Sequence, residues 1–84
     1  MKKRKLFQKL MSGSKNISFS DVVLCIEAFG FVLTRVNGSH HIFVHPGVPQ
    51  LINLQNVDGK AKPYQVRQFL QIVERYDLKM EAEE

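Results

Sequence analysis

The chain has 84 residues, 44% hydrophobic and 24% charged, which excludes a disordered or low-complexity protein and leaves length for one domain. Its formal charge of +4 is uneven: six of the twelve basic residues and none of the eight acidic ones fall in residues 1–15, whereas residues 74–84 hold five acids against two bases. A basic front end suits a polyanionic partner such as a nucleic acid, and no run approaches the roughly 20 apolar residues of a membrane span.

Residues 1–18 read as a basic helical extension. In KKRKLFQKLMSG, Leu6, Phe7, Leu10 and Met11 share one face, Lys2, Lys5 and Lys9 lie off it, and Gly13 stops the run. The alternation of charge with apolar residues is unlike the continuous apolar stretch of a secretion signal. With Cys25 alone in the sequence no internal disulfide can form, so a reducing cytoplasm and no membrane contact are expected.

The second helix is expected in FSDVVLCIEAFG. Ser20 is the expected N-cap, Asp21 meets the positive helix end, and Phe19 and Leu24 stand at the spacing of a hydrophobic staple. Gly30 supplies the left-handed position that turns the chain back. Cys25, inside the apolar run, is expected to pack as a small hydrophobe.

Then follows FVLTRV-NG-SHHIFVHP. Asn37-Gly38 between two β-rich runs predicts a hairpin with a two-residue type I′ loop. That loop would pair Val36 with Ser39 and place Arg35 directly opposite His40. One face would carry Phe31, Leu33, Arg35, His40, Ile42 and Val44. The other would carry Val32, Thr34, Val36, Ser39, His41 and Phe43, with His45 beyond. Pro46 ends the second strand, PQLINLQ (Pro49 to Gln55) reads as a third, and NVDGK is a turn. Pro63 suits the first turn of a last helix, along which Val66, Phe69, Leu70, Val73 and Tyr76 keep helical spacing. After the leading helix the order is α-β-β-β-α, and two helices can cover one face of a three-stranded antiparallel sheet. The expected fold class is an α+β sandwich.

All three histidines lie on this hairpin. His41 and His45 share a face but stand about 13 Å apart along a strand, and His40 points the other way, so no metal and no cofactor are expected. An arginine beside a histidine is useful chemistry on RNA. The imidazole can take the proton of a ribose 2′-hydroxyl as it attacks the adjacent phosphorus, and the guanidinium can pair with the phosphate oxygens. The pair alone leaves three readings open: a nuclease, a noncatalytic RNA-binding module, and a docking protein with solvated histidines.

The capped helix ending in Gly30-Phe31, the run Arg35-x-x-Gly38-Ser39-His40 across a hairpin, the aromatic Phe43 and the late amphipathic helix together resemble the HicA family of toxins. The resemblance covers about Phe19 to Leu78, so that residues 19–78 would form a HicA-like ribonuclease domain and residues 79–84 an acidic tail. It implies a double-stranded-RNA-binding-like fold and the activity of a bacterial mRNA interferase neutralised by a HicB-like antitoxin. It also implies that His40 is the catalytic residue and that Gly38 and Ser39 shape the turn before it. Arg35, Ser39, Lys60 and Lys62 are then the expected contacts to mRNA, Lys60 and Lys62 being the nearby bases ahead of the last helix. Phe43 would sit in the core, leaving Arg35 and His40 on the open face.

Overall fold

The computed structural model describes residues 2–13 and 15–81, in which three helices and four strands follow in the order α1 (Lys2–Met11), α2 (Phe19–Ala28), β1 (Val32–Asn37), β2 (His40–His45), β3 (Val48–Val57), β4 (Lys60–Ala61) and α3 (Pro63–Arg75). The strands form one antiparallel sheet in sequence order, β1-β2-β3-β4. The class is α+β, as expected. The two-residue β4 was not expected, and it exists because Asp58 and Gly59 both take positive φ (52° and 81°), the pattern of a type I′ turn that folds Lys60 back onto Val57.

Helix α2 begins one cap earlier than its sequence suggests. Ser18, not Ser20, is the N-cap, its hydroxyl accepting from Asp21 N at 3.2 Å. This moves the staple positions to Ile17 and Val22, both buried, and leaves Leu24 38% exposed. The C-terminus ends as expected: Gly30 (φ 93°) donates to Glu27 O and Phe31 N donates to Ile26 O, the two bonds of a Schellman motif. The same pair of bonds closes α3, with Asp77 (φ 52°) in the left-handed position and Leu78 N donating to Val73 O.

Helices α2 and α3 cover one face of the sheet, and Phe43, Leu54, Phe69, Val22, Ile26 and Cys25 are the most deeply buried side chains between them. Burial, and secondarily the charge of Asp21, push the Cys25 thiol up to about 11, so it stays protonated and packs as a hydrophobe. Among the described residues the buried polar side chain is that of Gln65, which is satisfied by accepting from Gln55 N at 2.7 Å.

The basic extension is part of this core. Leu10 is 2% exposed, Leu6 and Phe7 pack against the buried cluster, and the Phe7 ring lies 4.8 Å from that of Phe29. Met11, expected on the same face, is 57% exposed. The C-terminal segment also docks: Leu78 and Met80 pack on the core and Glu81 N donates to Ala28 O at 2.7 Å. Of the expected acidic tail, residues 82–84 lie outside the described residues. Leu10→Ala should therefore lower stability by about 2–5 kcal/mol, a fall in Tm of at least about 8 °C by calorimetry. Met11→Ala should stay within about 0.5 kcal/mol of the parent.

Candidate functional site

Local turn chemistry positions the histidines. The hairpin turns at Gly38-Ser39, not at Asn37-Gly38: Asn37 pairs with His40, Val36 with His41 and Arg35 with Ile42. Gly38 takes positive φ (63°), whereas Asn37 and Ser39 do not. Positive φ at the first central residue alone is the pattern of a type II′ turn, which asks for glycine there and tolerates serine next. The expected direct opposition of Arg35 and His40 is therefore wrong by two residues. A two-residue slip keeps every side chain on its face, so Arg35, His40 and Ile42 remain together. Arg35 becomes the diagonal neighbour of His40, with backbones about 7–8 Å apart. A bulge between Leu33 and Arg35 then exchanges the faces beyond it, pairing Leu33 with Phe43 and Val32 with Val44.

Phe43 is fully buried beneath the helices, which leaves the opposite face of the sheet uncovered. There Arg35, Asn37, His40, Ile42, Leu51 and Asn53 line a shallow depression of about 270 Å³. His40 Nδ1 lies 3.1 Å from Asn53 Oδ1. An amide oxygen only accepts, so Nδ1 is the donor, and in the neutral ring this tautomer leaves the lone pair on Nε2. Asn53 was not singled out from sequence. The signal was nonetheless present: in the run Leu51-Ile52-Asn53-Leu54-Gln55, Ile52 and Leu54 are buried under the helices, so Asn53 and Gln55 must face outward with His40.

The other two histidines face the helix side and are held by local contacts. His41 stacks against Phe19 (centroids 4.7 Å) and donates through Nδ1 to Ser39 O at 3.2 Å. His45 stacks against Phe31 (5.0 Å), and its Nδ1 accepts from Gly47 N at 2.9 Å across the Pro46-Gly47 turn. Their place on the hairpin is accounted for by packing and turn closure.

The remaining expected contacts are more dispersed. Ser39 is the second residue of the turn, and its carbonyl also accepts from Asn56 N at 2.9 Å, tying the turn to β3. Lys60 stands on β4, two strands away from β2, and its ammonium donates to Asn16 Oδ1. Lys62 is the N-cap residue of α3, with its ammonium 6.0 Å from the Tyr64 ring centre. Neither lysine lines the depression. Among the described residues no helix is long and apolar enough to cross a membrane, and no three His, Cys, Asp or Glu side chains gather as a metal site.

Comparison with known proteins gives one match. A protein-family model described as "HicA toxin of bacterial toxin-antitoxin" matches residues 19–74, from the start of α2 almost to the end of α3. No curated protein and no solved structure matches the chain.

Proposed function

The chain belongs to the HicA family, the toxins of bacterial toxin-antitoxin systems, and from that premise we propose that it is a metal-independent endoribonuclease acting on mRNA, with His40 as its catalytic residue. Members of the family are generally mRNA interferases. From α2 onward the order is the expected α-β-β-β-α with the two-residue β4 added before α3, and with helices on one face and the other face open it suits the double-stranded-RNA-binding-like fold that the family resemblance implies.

The observation that carries this reading is the His40–Asn53 contact in the depression that also holds Arg35. With Nδ1–H engaged by Asn53, Nε2 of His40 is the free base on the open face. It takes the proton of a ribose 2′-hydroxyl while the 2′-oxygen attacks the adjacent phosphorus. The bond from phosphorus to the 5′-oxygen breaks, and the leaving oxygen takes a proton from water. The products are a 2′,3′-cyclic phosphate and a 5′-hydroxyl end. Arg35, diagonal to His40, has the reach to hold the non-bridging oxygens of the same phosphate, where negative charge grows in the transition state. The Gly38-Ser39 turn sets the start of β2 and hence where His40 stands. Lys60 and Lys62 act farther out on the strand, on phosphates flanking the scissile one.

RNA supplies its own nucleophile in this reaction, so a substrate with a single 2′-deoxy nucleotide at the scissile position should resist cleavage entirely. The matched all-ribose RNA should be cut in excess chelator and give cyclic-phosphate ends by mass spectrometry. Cleavage of the deoxy substrate, or activity abolished by chelator and restored by a divalent ion, would overturn the mechanism.

The family implies a cognate antitoxin. A HicB-like protein would meet the same open face, setting an acidic group on Arg35 and apolar side chains on Ile42 and on Leu51, which is 58% exposed. An interface of about 800 Å² per partner would exclude RNA from His40.

A further inference from the structure

The sheet has a second recognition feature on the far side of β3. Along β3, strand β4 pairs with Asn56 and Val57, so among the described residues the outer edge of β3 ahead of Asn56 has no strand beside it. Backbone groups along β3 alternate in direction: Asn56 N donates to Ser39 on the β2 side, and Gln55 N donates outward to the Gln65 side chain. The same alternation turns the N–H and C=O groups of Asn53 outward, where among the described residues no strand pairs with it, and Leu51 follows at the register shift, outside the β2–β3 pairs. The open stretch is bounded at one end by the Gln65 cap on Gln55. At the other end Pro49 has no N–H to offer, a common device for blunting an edge.

This edge differs from that of β1, all six residues of which stand exposed. It is walled by α3, whose Gln68, Gln71, Ile72 and Arg75 follow helical spacing and line, with Gln50, Leu51 and Ile52, a groove of about 300 Å³. Ile52 and Ile72 are the buried floor, and Tyr76 closes one end by donating from its hydroxyl to Gln50 Oε1 at 2.6 Å. Among the described residues Arg75 is the charged side chain in the lining. An exposed strand edge beside a helix, with an apolar floor, is the geometry in which an extended peptide adds as a further strand.

We propose that the β3–α3 groove is a docking site for an extended protein segment of three to five residues carrying an acidic side chain. The segment adds to the outer edge of β3 through the Leu51 and Asn53 backbone and sets its carboxylate on Arg75. The occupant is a protein rather than RNA, because the free groups are strand-edge N–H and C=O pairs and the lining carries one cation among uncharged side chains, where a nucleic-acid track would repeat its cations along the backbone. The site does not depend on the chemistry of His40. Leu51 lines both this groove and the His40 depression, so an occupant would also crowd the open face.

The test is a titration of the intact, ¹⁵N-labelled chain with acetyl-Glu-Val-Thr-Val-Thr-amide, followed by NMR and amide hydrogen exchange. The Leu51 and Asn53 amides should shift and become protected. Backbone N-methylation at alternate peptide residues should weaken binding at least tenfold, as should Leu51→Pro, which removes the N–H at a position outside the β2–β3 pairs. Exchanging the peptide's Glu for Lys should weaken binding at least fivefold, and Arg75→Glu should reverse that preference. Undiminished binding of the N-methylated peptide, peptide shifts confined to β1, or a stronger effect of a short oligoribonucleotide on the Leu51 and Asn53 amides would each overturn the proposal.

Discussion

His40→Ala should lower RNA cleavage by about 10²–10⁴ in rate, and with it remove growth inhibition on induced expression, while the fold remains. The expectation follows from where the side chain stands. His40 is half-buried on the face that the helices leave uncovered, and within the protein its ring is held by the bond to Asn53. Removing it forfeits one hydrogen bond, about 0.5–1.5 kcal/mol, and opens no cavity in the core. Circular dichroism should be unchanged and Tm should fall only a few degrees. Asn53→Ala separates orientation from chemistry: the base survives but loses its fixed tautomer, so kcat should drop about tenfold with KM little changed. His41→Ala and His45→Ala should show the opposite pattern, losing ring contacts with Phe19 and Phe31 and hence stability, yet keeping cleavage under conditions where they remain folded. Full activity in folded His40→Ala protein would remove the catalytic assignment, whatever the family membership.

The parts of this site written in local periodicity were legible from sequence, and those set by turn chemistry or packing were less so. Alternation along β2 puts Phe43 and His40 on opposite faces, the family resemblance implies that Phe43 takes the core side, and a slip of two residues could not change either. The exact pairing was misread because Asn-Gly and Gly-Ser overlap at Gly38, and both are hairpin loops. One glycine decided between them by taking positive φ alone. The bulges next to Leu33 and between Phe43 and His45 have no signature in hydrophobic pattern, since they depend on how the sheet twists over α2 and α3. Ser18 and Ser20 are equally good caps by residue type. Ser18 is used because it lets Ile17 reach the core at the staple position. The docking of α1 likewise depends on Phe29, a residue of the next helix's end, which periodicity within residues 1–15 cannot reveal.

Arg35→Ala should lower cleavage by about 10²–10³ with a modest rise in KM, the effect of losing a donor aimed at charge that develops in the transition state. The corrected register strengthens this expectation. In direct opposition, Arg35 and His40 would crowd one another and leave no space between them for a phosphodiester. Set diagonally, with Arg35 opposite Ile42 and His40 opposite Asn37, they flank a depression open to solvent. A phosphate in that depression would present its 2′-hydroxyl side to His40 and its non-bridging oxygens to the guanidinium. Arg35 is exposed on an edge strand, and its nearest neighbours on that face are Ile42 and Asn37, so its removal should leave Tm within a degree or two. Arg35→Lys keeps the charge and loses the planar fork that binds two oxygens at once, so it should recover only part of the loss, about one decade. Its recovery should also weaken as salt rises, since a lone ammonium at an exposed site is screened more readily than a bidentate pair. Normal cleavage by Arg35→Ala would shift the phosphate contact elsewhere. Lys60 on β4 and Lys62 at the start of α3 line no part of the depression, so a phosphate contact through them would also require the RNA to enter from the β4 side.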